Sequence, residues 1–106
     1  MAPIIRIRVS NGQCEETYYE PVASDLQDAL ALLRRAGWRV RTRRVDADKE
    51  IALLRAQAEE AACEGARLRG ASSEWLSYMV LAKRLERLAQ DAEAAVQGKG
   101  TLLNME

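Results

Sequence analysis

Between Arg34 and Arg44 the chain carries six arginines, at positions 34, 35, 39, 41, 43 and 44, and no acid. The whole chain is formally neutral, with 16 basic and 16 acidic residues, so positive charge is concentrated in this stretch. Arg39, Arg41 and Arg43 alternate with Trp38, Val40 and Thr42, the period of a strand that turns one set inward and the other to solvent. Arg6 and Arg8 alternate in the same way with Ile5, Ile7 and Val9. If the two strands are neighbours, Arg6, Arg8, Arg39, Arg41 and Arg43 share one open sheet face, close to Tyr19. Guanidinium groups grip phosphates or carboxylates in two-pronged fashion, and an aromatic beside them can stack on a base. The pattern therefore suits a phosphate or an acidic protein surface. It suits equally a sheet face that arginines merely keep soluble.

A second candidate lies at the start of the last helical segment. There Tyr78, Leu81, Leu85, Leu88, Ala89, Ala92 and Val96 fill one sector of a helical wheel, while Lys83, Arg84, Glu86, Arg87, Asp91 and Glu93 fill much of the rest. Trp75, Leu76, Met79 and Val80 fall on the side that becomes charged one turn later. The first two turns are thus apolar nearly all round, and a Trp-Met cluster of this kind is the composition of an interface centre. Trp75, Leu76, Met79 and Val80 are accordingly the expected partner-binding residues, with a covering by the chain's own hairpin or first helix as the alternative.

Catalytic chemistry finds little support. Histidine is absent, which removes the commonest general base and zinc ligand near neutral pH. There is no Gly-rich phosphate loop, no Cys-x-x-Cys and no Gly-x-Ser-x-Gly elbow. The acid pairs Glu15-Glu16 and Glu59-Glu60 diverge, because neighbours in a strand or a helix point in different directions. Ser72-Ser73 lacks a base and reads as a helix start. Cys14 and Cys63 read as small buried or half-buried side chains. No metal, no cofactor and no enzymatic activity are expected.

The elements that must carry these residues follow from periodicity. At 106 residues the chain has the length of one domain, expected over residues 1–97, with 98–106 as a flexible C-terminal tail. A first strand over Ile4–Val9 runs into Asn11-Gly12, a strong two-residue hairpin signal. That turn would set Val9 opposite Cys14, Arg8 opposite Glu15 and Ile5 opposite Tyr18. Pro21 ends the second strand, and Ser24 with Gln27 reads as a capping box for a helix that Gly37 stops. A third strand reaches about Val45. Asp46 or Asp48 then caps a helix whose apolar face is Ile51, Leu54, Ala58, Ala61, Ala62, Gly65 and Leu68, and Gly70 ends it. Ser72 or Ser73 starts the long last helix, to about Gln97. The expected fold is α+β in the order ββαβαα, with a small antiparallel-containing sheet of order 2-1-3 packed by helices.

Eighteen Ala and thirteen Arg against three Lys suggest GC-rich coding and fit a bacterial or phage source. No basic leader with an apolar run opens the sequence, and no segment approaches the ~20 apolar residues of a membrane span, so a cytoplasmic protein without membrane contact is expected. The expected function is a small non-catalytic protein-interaction module acting by stoichiometric binding, as adaptor, regulator or inhibitor. It is expected to be a homodimer with a protein partner. A phage or mobile-element product aimed at a host defence nucleoprotein is one specific form. The alternative is a nucleic-acid-binding regulator that uses the arginine face.

Overall fold

The computed structural model describes residues 2–102. Its elements are β1 (Pro3–Ser10), β2 (Glu15–Pro21), α1 (Gln27–Arg35), β3 (Arg39–Asp46), α2 (Ala47–Leu68) and α3 (Trp75–Val96). The architecture is α+β, with a sheet of order β2-β1-β3 and a C-terminal helix of 22 residues. β1 is antiparallel to both neighbours. β2 and β3 therefore run parallel at opposite edges, and α1 makes the long crossover that parallel strands require.

The turn differs from the expected one. Gly12 does adopt φ +89°, but four residues, not two, separate the strands. The Asn11 side-chain oxygen accepts from the backbone N–H groups of Gln13 and Cys14 at 3.0 and 2.8 Å, an Asx-type closure that competes with a tight type I′ turn. Pairing starts at Ser10 with Glu15 and sets Arg8 opposite Thr17, Ile7 opposite Tyr18 and Ile5 opposite Glu20. Arg8 thus loses the expected cross-strand acid. Because the slip is by two residues, every side chain keeps its expected face.

Both faces of the sheet are used. On the Ile5-Ile7-Val9 side, Ile7, Val9 and Leu26 are buried, with Leu30 and Leu33 of α1, Trp38 just before β3 and Val40 of β3 packed around them. On the Ile4-Arg6-Arg8 side, Ile4, Tyr19, Ala47, Leu54, Ala89, Ala92 and Ala95 form a second buried cluster beneath α2 and α3. The expectation of an arginine face open along its whole length is corrected here: the helical pair covers its Ile4 end.

Caps and seams explain the helices. Asp46 accepts from Asp48 N–H at the start of α2. Ser24 does not cap α1; the N–H of its first residue, Gln27, donates instead to the Asp25 side chain. The burial on α3 is rotated from the expected stripe. Ala82, Ala89, Ala92 and Ala95 are buried, whereas Leu81 and Val96 stay 44% and 47% exposed. Alanines at the seam let the two backbones close on one another, which pushes the larger side chains to its margins. The helices approach closely at Gly65: a Cβ there would lie 3.2 Å from Tyr78 Cβ and 3.3 Å from the Trp75 carbonyl oxygen.

Residues Ala58 to Ala82 belong to neither sheet-side cluster, so half of the helical pair projects as an arm. The radius of gyration is 15.4 Å, against about 13 Å for a compact domain of this length. The segment after α3 returns to the sheet. Thr101 N–H donates to the Tyr19 carbonyl, Tyr19 N–H donates to Thr101 Oγ1, and Leu102 N–H donates to Glu20. Gly100 passes so close to the buried Glu20 carboxylate that a Cβ would collide with it. The expected flexible tail is thus revised for residues 98–102; its remainder, 103–106, lies outside the described residues.

Candidate functional site

The five arginines of the expected face divide. Arg6 is drawn into the protein, where its guanidinium Nη1 donates to both oxygens of Glu50 at 3.2 and 2.9 Å. The Tyr19 hydroxyl donates to the same carboxylate at 2.9 Å. Side-chain exposure is 16% for Arg6 and 9% for Glu50, so this is a nearly dry pair whose carboxylate is held by three hydrogen bonds. Burial first, and then the bond to Glu50 and its charge, push the Tyr19 hydroxyl far above a tyrosine's ordinary range. Arg6, expected on the open face, is therefore held inside the fold, and Tyr19, expected beside that face, is a buried donor. Glu50, the acid at the centre of this network, carries no motif that marks it in the sequence. Its position is the signal, because it stands between Ala47 and Leu54 on the buried stripe of α2, where an acid demands a partner.

Arg8, Arg39, Arg41 and Arg43 remain exposed. Arg8 stands directly opposite Arg41, Arg6 opposite Arg43 and Ser10 opposite Arg39. Among the described residues none of these four forms an ion pair; the pairs are Arg6 with Glu50, Arg55 with Glu93 and Arg67 with Glu64. Arg44 projects from the other face, opposite Ile5, and is exposed as well. The result is an unneutralised arginine ladder at the β1-β3 side of the sheet.

The expected Trp75-Leu76-Met79-Val80 patch also divides. Trp75 and Met79 are half-buried, with Met79 against Gly65 and the Arg69 guanidinium 5.4 Å above the Trp75 ring. Leu76 and Val80, one turn apart, point outward at 54% and 67% exposure. On one flank of the arm Tyr78, Leu81 and Leu85 line a shallow groove with Gln57, Ala61 and Glu64. Leu85 also packs on the sheet-side cluster, so the groove continues the core outward.

Cys14 and Cys63, expected to be buried or half-buried, are both exposed. Among the described residues no group of three or more potential metal-ligating side chains comes together, and no helix is long and apolar enough to cross a membrane. Comparison with known proteins finds no matching family model, no matching curated protein and no matching solved structure.

Proposed function

We propose that the protein is a small non-catalytic interaction module that acts by stoichiometric binding, as an adaptor, regulator or inhibitor, and that it works as a homodimer joined through its arm. The observation that carries this reading is the projecting half of the α2–α3 pair, with Leu76, Val80 and Leu81 exposed on it. Two antiparallel helices leave apolar flanks that a second pair covers by forming a four-helix bundle. The charges along the arm and at its base suit a second copy. From Gln57 to Ala66, α2 carries Glu59, Glu60 and Glu64 and no base, while α3 carries Lys83, Arg84 and Arg87 around the single Glu86 at the base of the arm, with Arg84 also donating to the Glu15 carbonyl oxygen of β2 at 2.7 Å. Of these, only Glu64 is ion-paired among the described residues, to Arg67 of its own helix. A two-fold arrangement lays the acidic segment of one protomer along the basic segment of the other.

Sedimentation at tens of micromolar tests the reading. A dimer is expected for the parent chain and a folded monomer, with unchanged circular dichroism, for Leu76→Glu combined with Val80→Glu. A monomeric parent overturns it.

A second reading, a nucleic-acid-binding regulator, draws support from the unpaired Arg8 and Arg41 facing each other across β1 and β3. It predicts an electrophoretic shift that weakens steeply between two salt concentrations, with a shallower slope for the triple change Arg39→Ala, Arg41→Ala and Arg43→Ala.

A further inference from the structure

We propose that the outer edge of β3 is a receptor for an acidic, extended segment of a protein partner, which adds to the sheet as a fourth strand. The two edges of this sheet are treated differently. Beside β2, residue 101 lies against the strand and exchanges hydrogen bonds with Tyr19. Beside β3, among the described residues, no backbone hydrogen bond reaches the outer side; Arg39 to Asp46 pair only inward, with β1. Eight residues of strand therefore present alternate N–H and C=O groups to an incoming chain, the arrangement that recognition by strand addition uses.

The side chains select the visitor. Arg39, Arg41 and Arg43 lie on one face of this edge and Arg44 on the other. A second copy of β3, paired about a two-fold axis normal to the sheet, sets odd-numbered residues against odd-numbered ones and so arginine against arginine. Like charges directly opposite are unfavourable, and the edge rejects itself. A strand with Glu or Asp at alternate positions meets the same arginines with opposite charge. It also relieves the Arg8–Arg41 opposition, which no acid of the described residues neutralises. A nucleic acid fits this end of the sheet less well. Tyr19, the aromatic of that face, is buried under α2 with its hydroxyl on Glu50, leaving no ring at the open end on which a base can stack.

The surface is separate from the arm, so the proposal is tested whether or not the chain dimerises. The probe is a short capped peptide alternating Glu with Val, titrated into the ¹⁵N-labelled full chain at low salt. Saturable shifts are expected, largest for the amides of residues 39–46. Two methylated peptides separate strand addition from charge alone, one methylated on the Glu backbone nitrogens and the other on the Val nitrogens. Strand addition requires that one of them bind like the parent peptide and the other at least about ten-fold more weakly, because alternate N–H groups face opposite sides of a strand. Arg41→Gln with Arg43→Gln, checked for unchanged circular dichroism, should lose a similar factor. Equal binding of both methylated peptides overturns the proposal. So does an absence of saturable binding at about 1 mM peptide, or a single-stranded oligonucleotide that binds more tightly and displaces the peptide, the last pointing to the nucleic-acid reading.

Discussion

Arg6 and Arg8 stand two residues apart on one strand, on one face of one sheet, and meet opposite environments. Arg6 lies under the first turns of α2, gripping Glu50 beside the Tyr19 hydroxyl. Arg8, about 7 Å further along the strand, is exposed and faces Arg41. The difference comes from the layer above. Where α2 brings an acid down onto the sheet, the arginine becomes part of the core, and where no acid comes down over β1 and β3, the arginines stay exposed. Sequence periodicity assigns a residue to a face; a second element decides what that face meets.

Removing the buried arginine should cost the fold most. Arg6→Ala removes one side of a nearly buried pair and leaves the Glu50 carboxylate without its cation, which should cost about 3 kcal/mol in denaturant unfolding. Arg8→Ala should stay within about 0.5 kcal/mol. Replacing Arg6 and Glu50 by Leu together with Tyr19 by Phe, so that no member of the buried network is left without its partner, should recover most of the loss, because the cost arises from an unpaired buried charge and not from the missing contact. If Arg6→Ala and Arg8→Ala behave alike, the ion pair does not distinguish the two ends of the face.

Next in size is Tyr19→Phe, which deletes a hydrogen bond to a charged acceptor and should cost about 1.5–3 kcal/mol. It also predicts a pH dependence. The folded chain holds the Tyr19 proton far above the ordinary value of 10.0, whereas the unfolded chain releases it near that value. The folded state then binds more protons than the unfolded one, so stability falls as pH rises above about 10. Unfolding midpoints at pH 9 and pH 11 should differ more for the parent chain than for Tyr19→Phe. An equal drop in both would assign the alkaline loss to other groups, such as Tyr18, whose hydroxyl is also raised by burial and by Glu16.

Element order, sheet order and the split of the strands into two faces were legible, because each rests on alternation and on stop signals such as Gly37, which does take φ +93°. The hairpin register was not. Asn11 can serve a tight turn through its backbone or a wider loop through its side chain, and the dipeptide alone does not choose. The seam between α2 and α3 was half legible. On α2 the stripe of Leu54, Ala58, Ala61 and Gly65 is buried as read. On α3 large apolar residues outweighed alanines in the wheel, while close packing favours the alanines. The fate of Arg6 depended on a contact between residues 44 positions apart, which no local period reports.

At the exposed end of the face a change of charge should have a smaller effect on stability. Arg8 and Arg41 are opposed across the strands, and like charges so placed are destabilising, whereas opposite charges contribute about 0.2–1 kcal/mol. Arg8→Glu should therefore stabilise the fold by up to about 1 kcal/mol at low salt, with a gain that shrinks as salt screens the exposed pair. On the proposal of strand addition, the same change should weaken binding of the Glu-Val peptide, since it places a carboxylate beside the incoming ones. Such a variant would be more stable and a poorer binder, and the two measurements together separate the meanings of an arginine surface. Arginines that only keep a face soluble lose nothing when one of them becomes glutamate, because the face stays charged. Arginines held against their own repulsion for an anionic partner lose that partner as the fold gains. If Arg8→Glu leaves stability unchanged at low salt, the opposition of Arg8 and Arg41 costs the fold nothing, and the ladder no longer points to a ligand.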